Sequence, residues 1–381
     1  MLMRSKTIHI IPFIFLLLAA ISCGKDDPVS QQGQNVILDW PGYIWFDADA
    51  SKTKTAQVES MFGKSFNVIA FKYSSDWATF KATGTPASAM SSSSPYGFKF
   101  PTPVACAAST GICTYTSSDN TNPVEWDGNM KYSFFAYYPA LSADDPSGTV
   151  TRVTDQTTAG VPAIKYTVPS PVGGYMNAAD VPDVMTAYTH DAQNTGAGAV
   201  SLNFKHRLCL FCVEARNLKT TEATISNLVL TITSNWYGDV TIPLDGSAIQ
   251  PGTIINNNFV CRMQPTTGTG AVVTVEQFGS DGTSANTLVS HPNNHIAFIP
   301  QNPDDIIDPN SEPKTKLGNL TGKLDFNWNG SAKSQTFTAT KSFLEGKKYA
   351  FVITIAADDA ISVDIRESED WEENSSDIIF E

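Results

Sequence analysis

The chain has 381 residues and a formal net charge of −13 at pH 7, with 38 Asp and Glu against 25 Lys and Arg. This balance argues against a nucleic-acid-binding protein, because neutralising phosphates requires a basic face. The length is sufficient for two hydrophobic cores of ordinary size.

The first predicted element is a signal peptide over residues 1–22. Arg4 and Lys6 precede the apolar run Ile10–Ala20, which is too short to cross a bilayer as an ordinary helix and is typical of a leader. A small residue directly before Cys23 resembles a lipoprotein cleavage site. We therefore expect Cys23 to be lipidated and to hold the protein in the outer membrane. An ordinary secretory signal followed by a stray cysteine is the alternative.

Residues 23–34 are predicted to be a tether. The run Lys25-Asp26-Asp27 resembles a surface-export signal of bacterial lipoproteins, which would place the protein on the outer face of the outer membrane. A solvated charged segment with no such role is the alternative.

Beyond the tether, short apolar runs alternate with clusters of Ser, Thr, Asn, Gly and Pro, and no stretch keeps helical spacing for three turns. This pattern predicts an all-β fold made of sandwiches or barrels. The predicted strands are Phe66–Tyr73, Tyr132–Tyr138, Ala163–Val168, Asn227–Thr233, Asp239–Leu244, Ala271–Phe278, His295–Pro300, Lys323–Trp328, Tyr349–Ala356 and Ile361–Ile365.

The longest strand-like run is Val200–Leu218, which follows the loose segment Ala192–Gly198. We interpret it as the first strand of a second domain. The expected domains are an N-terminal β-sandwich over residues 35–198 and a C-terminal β-sandwich over residues 199–381.

Three polar segments of the first half are predicted to be loops: Lys81–Ser94, Ser142–Gly148 and Pro169–Gly174. Loops on a rigid sandwich often carry binding surfaces. Inert surface loops are the alternative.

Five cysteines remain after Cys23. Cys106 and Cys113 bracket a short loop and are predicted to form a disulfide in an oxidising exterior, with two free thiols as the alternative. Cys209 and Cys212 lie inside a predicted strand, where they point to opposite faces, so redox or metal chemistry is not expected. Cys261 is either free or paired with one of these two.

No catalytic motif is present, and neither an enzyme activity nor a cofactor is expected. His291 and His295 have the i, i+4 spacing of a zinc helix, but Pro292 between them argues against a helix. Asp304, Asp305 and Asp308 lack the glycine and glutamate of an EF-hand, so a solvated acidic loop is favoured over a calcium site.

Four segments together resemble the fimbrillin family of Bacteroides-type anaerobes. They are KYSFFAYYPA (Lys131–Ala140), PDVMTAY (Pro182–Tyr188), VSLNFKHRL (Val200–Leu208) and FLEGKKYAFVITI (Phe343–Ile355). The resemblance implies two tandem transthyretin-like β-sandwich domains after a lipoprotein signal peptide. It also implies a non-enzymatic pilus subunit that joins other subunits by donor-strand exchange and supports adhesion to a host or bacterial surface receptor.

The family pattern also implies proteolytic removal of an N-terminal strand, here expected within Asn35–Ala48, usually by a cut after Arg. This chain has no Arg between Cys23 and Arg152, so Lys52 and Lys54 are the candidate processing sites. If the chain is not cut, it keeps its lipid and its first strand and suits an anchor or a strand-donating cap.

At the other end, Ile361–Ile365 alternates in the manner of a strand, and an acidic break is predicted at Glu367–Asp370. The tail that follows contains Trp371 and Ile378-Ile379-Phe380. It either closes its own sandwich or fills the groove of a neighbouring subunit.

The alternative function is a surface glycan-binding lipoprotein of a nutrient-uptake system, which would share the leader, the acidic charge and the sandwiches. Trp40, Trp45, Trp77 and Trp126 bear on this choice, because exposed tryptophan stacks on sugar rings. Tryptophan in a β-sandwich is more often part of the core.

Overall fold

The computed structural model describes residues 44, 46–50, 61, 63–96, 98, 100–108, 113–115, 124–140, 150–152, 156–171, 173–194, 199–268, 270–275, 295–302 and 317–370. The leader, Cys23, the tether, the two lysines at the candidate cut, the loop Ser142–Gly148, and the tail after Asp370 lie outside these ranges. What the sequence predicts for them remains a prediction.

The regular secondary structure of the described residues consists almost entirely of β-strands, which confirms the all-β prediction. The first half contributes β1 (Phe46–Ala50), β2 (Ser65–Tyr73), β3 (Thr102–Cys106), β4 (Cys113–Tyr115), β5 (Lys131–Tyr138), β6 (Val150–Arg152), β7 (Ala163–Thr167), β8 (Met176–Asn177), β9 (Met185–Ala192) and β10 (Val200–His206). Its helical turns are α1 (Trp77–Phe80), α2 (Pro86–Ala89) and a 3-10 turn, Ala178–Asp180.

The second half continues with strands alone among its described residues. They are β11 (Cys209–Asn217), β12 (Ala223–Ile232), β13 (Trp236–Tyr237), β14 (Asp239–Pro243), β15 (Gln250–Pro251), β16 (Ile254–Ile255), β17 (Phe259–Arg262), β18 (Val272–Val275), β19 (His295–Phe298), β20 (Leu320–Trp328), β21 (Ser331–Ala339), β22 (Lys347–Ile355) and β23 (Ile361–Asp370). Within the described ranges, no helix is long and apolar enough to cross a membrane.

Seven strands close into a barrel in the order β1-β10-β9-β5-β2-β3-β4. Closure pairs every strand with two neighbours, so this sheet has no open edge. The last gap is filled by β1, which runs parallel to β10 and meets β4 in the antiparallel sense.

The barrel wall separates two hydrophobic cores. Along β2, Phe66 and Val68 face the core inside the barrel, whereas Ile69 and Phe71 belong to the core shared with the other sheets. Successive residues of a strand point to opposite faces, and both faces of this strand are covered. For this reason the sequence of β2 is a continuous apolar run rather than an alternating one.

The remaining sheets pack around the second core. A four-stranded sheet, β19-β11-β22-β23, faces a six-stranded sheet, β21-β20-β12-β17-β8, in which β18 also pairs with β12. The rings of Phe337 and Phe351 meet across these two sheets with centroids 4.9 Å apart. Two smaller sheets, β15-β14-β7-β6 and β13-β16, complete the described strands.

The prediction of one long strand over Val200–Leu218 is wrong. The run is divided between β10, which pairs with β9 and β1 in the barrel, and β11, which pairs with β19 and β22 in the four-stranded sheet. The burial pattern changes at the same point: β10 alternates between buried and exposed residues, whereas nearly all of β11 is buried. The chain crosses from one sheet to the other at Arg207 and Leu208.

The segment Lys81–Ser94 is only partly the polar loop that its composition predicts. It contains α2, and Ala89 and Met90 are buried in the core that the barrel shares with the other sheets. Pro86 lies at the start of this helical turn, where a backbone N–H would have no hydrogen-bond partner within the helix. These apolar anchors hold the serine-rich segment against the barrel, so much of it is not free binding surface.

Candidate functional site

The first candidate site is the place of β1 in the barrel. This strand pairs with β10 along its whole length, from Phe46 opposite Val200 to Ala50 opposite Phe204. Among the described residues, its pairing with β4 is limited to Phe46 opposite Cys113. The strand is therefore held mainly from one side, by its pairing with β10.

The side chain of Phe46 is 3% exposed and fills an aromatic pocket inside the barrel. Its ring lies 5.5 Å from Tyr115, 5.3 Å from Phe134 and 6.1 Å from Phe98, measured between centroids. We call the space that its ring occupies between these three residues the Phe46 pocket. Burial of this ring stabilises β1 in the barrel.

The chain entering β1 is fixed by Tyr115. Its hydroxyl donates a hydrogen bond of 2.9 Å to the carbonyl of Ile44 and accepts one of 3.0 Å from the backbone N–H of Val124. Burial raises the pKa of the Tyr115 hydroxyl well above its usual value, so it stays a neutral donor.

Strand β4 is tied to β3 by a disulfide between Cys106 and Cys113, which stand opposite each other in the two strands. Both cysteines are buried in the barrel core. The cross-link fixes the short strand that forms one wall of the gap closed by β1.

The candidate cleavage site and the C-terminal tail, which the sequence analysis connects with strand exchange, each follow a described strand. Lys52 and Lys54 follow β1 within four residues but lie outside the described residues. At the C-terminal end, the predicted acidic break at Glu367–Asp370 is wrong, because β23 continues through it and pairs with β22 as far as Asp370. The tail from Trp371 onward lies outside the described residues.

The second candidate site is a buried polar joint where the chain leaves the barrel. Asp183 and His206 are both buried, and Oδ2 of Asp183 lies 2.8 Å from Nδ1 of His206. Asp183 precedes β9 and His206 ends β10, so this pair joins the ends of two adjacent barrel strands.

Arg207 extends the joint to the other sheets. Its guanidinium donates hydrogen bonds to the hydroxyl of Thr186 in the barrel and to the carbonyls of Pro243 and Ser247, at 3.1, 3.0 and 2.6 Å. Its Nε lies 2.6 Å from Oε1 of Glu345. Burial raises the pKa of the Glu345 carboxyl, and the positive charge of Arg207 partly offsets this shift. One side chain thus connects β9, the end of β14 and the loop before β22.

The joint lies in the segments that carry the family resemblance, but sequence reasoning missed it. The available signal was the run Lys205-His206-Arg207 inside an apolar stretch. Two of its members, His206 and Arg207, are buried, whereas Lys205 is exposed. Charged residues are rarely buried without partners, so such a run indicates a buried polar contact.

Three cysteines are free and buried: Cys209, Cys212 and Cys261. Cys209 faces the large core and Cys212 the opposite side of β11, where it packs with Ala350 and Val352. Burial raises the pKa of all three thiols, that of Cys212 to about 12. Buried thiols with a raised pKa are poor nucleophiles, because the thiolate is the reactive form.

We expect these three thiols to resist Ellman's reagent in the folded protein and to react fully in denaturant. The physical reason is the combination of inaccessible sulfur atoms and raised pKa values. Mass spectrometry of the labelled protein identifies each reactive site. Rapid labelling of Cys209 or Cys212 under native conditions would contradict the burial described above.

The remaining candidate residues lie partly within and partly outside the described ranges. Among the described residues, no group of three or more His, Cys, Asp or Glu side chains is arranged to hold a metal ion. His295 is buried at the start of β19, whereas His291 and the acidic loop around Asp305 lie outside the described residues. Trp77 is buried in the core and stacks on His190, as predicted for a core tryptophan. Trp126 is partly buried against the barrel core.

These features define an all-β protein in which β1, the first of the described strands, completes a barrel. The fimbrillin-like family pattern matches residues 101–371, and the chain belongs to that family. The resemblance drawn from the sequence segments is therefore confirmed. No curated protein matches the sequence.

Several solved structures are similar at low identity. A candidate cell adhesion protein from Bacteroides ovatus has 11% identity and a TM-score of 0.48, with 87% of this chain and 97% of that chain covered. A candidate cell adhesion protein from Bacteroides uniformis has 16% identity and a TM-score of 0.45, with coverage of 87% and 98%. A structure from Bacteroides thetaiotaomicron described as polysaccharide binding has 9% identity and a TM-score of 0.38, with coverage of 87% and 100%.

Proposed function

We propose that this chain is a non-enzymatic subunit of a cell-surface pilus that assembles by strand exchange and supports cell adhesion. The observation that carries the proposal is the position of β1. It closes the barrel with one buried aromatic side chain, Phe46, and is followed directly by Lys52 and Lys54.

A cut after either lysine would leave β1 attached to the rest of the subunit by non-covalent contacts alone. Its departure would expose the backbone N–H and C=O groups of β10 and β4 and empty the Phe46 pocket. An open groove of this kind binds an extended strand of another chain, because main-chain hydrogen bonds give affinity and the pocket gives register.

The donor strand that we propose is the C-terminal tail of a second subunit. The tail follows β23 and contains Trp371, Ile378, Ile379 and Phe380, which are apolar residues of the kind that the Phe46 pocket accepts. β23 itself is paired with β22 and belongs to the subunit's own sheet. Donation by the segment beyond it would therefore leave the donor's fold intact.

We further propose that lipid on Cys23 attaches the uncut precursor to the outer membrane, with the protein exposed at the cell surface. A subunit that escapes cleavage would keep both its lipid and β1, and would serve as an anchor or a cap of the pilus.

The test is cleavage-dependent polymerisation of the purified chain. After treatment with a lysine-specific protease, the wild type and the exposed-loop control Lys81→Ala are expected to form polymers in size-exclusion chromatography. The double variant Lys52→Ala, Lys54→Ala is expected to keep β1 and to stay monomeric, because its groove remains filled. Equal polymerisation of the double variant, or a wild type that stays monomeric after complete cleavage, would refute the proposal.

A further inference from the structure

A polar pocket of about 400 Å³ lies at the edge of the six-stranded sheet. Its volume is within the range of sites that hold small molecules. Its polar lining residues are Asn177, Asp180, Arg262, Gln264, Thr266 and Thr267.

The pocket is built on paired strands rather than on a free loop. The edge strand β8 runs parallel to β17, which places Asn177 opposite Arg262. Met176 and Ala178, on either side of Asn177, are buried in the large core. The polar side chains are thus carried on backbone that the core holds in place, as a preorganised site requires.

Two contacts orient the charged groups. The guanidinium carbon of Arg262 lies 4.6 Å from the ring centre of Tyr175, an aromatic side chain that is 40% exposed. On the other side, the amide of Asn177 donates a hydrogen bond of 2.7 Å to a carboxylate oxygen of Asp180. The ring contact orients Arg262, and the amide orients Asp180.

Gln264 forms a buried part of the pocket wall. The side chain is 2% exposed, and its carbonyl oxygen accepts a hydrogen bond of 3.0 Å from the backbone N–H of Leu228. That bond fixes which end of the amide is oxygen. The amide nitrogen has no hydrogen-bond partner among the described residues. The bond to Leu228 holds this part of the pocket wall in place.

We propose that this pocket binds a short neutral glycan. One positive and one negative side chain leave its lining without net charge, which does not favour an ionic ligand. The donor Arg262, the acceptor Asp180 and the hydroxyl groups of Thr266 and Thr267 match neighbouring sugar hydroxyl groups, each of which donates and accepts. The exposed ring of Tyr175 adds an apolar surface beside these polar groups.

The experiment is glycan-array screening of the full uncut chain, followed by titration calorimetry with the neutral oligosaccharide that it retains best. Arg262→Met and Asp180→Ala are each expected to weaken that binding at least tenfold. Both side chains are at least partly exposed, and we expect these variants to keep the unfolding temperature of the wild type. Thr336→Ala, an exposed position on β21 of the same sheet, is the control and should bind as the wild type does.

Three outcomes would overturn the proposal: no neutral glycan is retained, acidic glycans alone are retained, or the two pocket variants bind as tightly as the wild type. The measurement uses uncleaved monomer. Its result is therefore independent of whether the subunit polymerises, and failure of either proposal leaves the other standing.

Discussion

Replacing Arg207 by alanine is expected to lower the free energy of unfolding by about 3–5 kcal/mol, the range found when one partner of a buried ion pair is removed. The guanidinium is buried and contacts Thr186, Ser247 and Glu345. Its loss leaves two backbone carbonyls without donors and a half-buried carboxylate without its counter-charge.

Urea denaturation measures this effect, and Lys205→Ala is the matched control. Lys205 is exposed, two residues before Arg207, and carries the same charge, so its removal should change stability by less than about 0.5 kcal/mol. Equal effects of the two substitutions would mean that the polar joint adds nothing specific to the fold.

Replacing His295 by leucine is expected to stabilise the protein by about 1–3 kcal/mol at neutral pH, because neither ring nitrogen has a hydrogen-bond partner among the described residues. The gain should grow on acidification. Burial, and to a smaller extent the charge of Lys348, lowers the pKa of His295 from 6.5 to about 3.

The direction of the pH effect follows from this shift. Below the unfolded pKa of 6.5 the unfolded chain binds a proton at His295 that the folded chain rejects until about pH 3. The wild type therefore loses stability as the pH falls through this window, by about 2 kcal/mol at about pH 5. Denaturation curves of both proteins at neutral and acidic pH check this, and a stability difference that does not change with pH would contradict it.

The fold class and most strands could be predicted from the sequence, because apolar runs separated by turn residues occur in any all-β packing. The prediction from the sequence was wrong where one apolar run contributes strands to two sheets, as in Val200–Leu218. Apolar content alone does not reveal which sheet a strand joins, since pairing partners are distant in the chain: β8 pairs with β17, and β7 with β14.

The candidate sites were predictable to different degrees. The cysteine pair Cys106 and Cys113 follows from its spacing, and the structure joins the two in a disulfide. The pocket around Arg262 does not follow from the sequence, because its residues come from two segments separated by more than eighty positions and meet only through the parallel pairing of short strands.

A cryo-electron microscopy structure of the polymer formed after cleavage tests the central claim most directly. If subunits join by strand exchange, β1 is absent from each internal subunit, and a strand from the C-terminal tail of a neighbour lies between β10 and β4. An apolar side chain of that tail then fills the Phe46 pocket. A polymer in which each subunit keeps its own Phe46 in that pocket would contradict assembly by strand exchange.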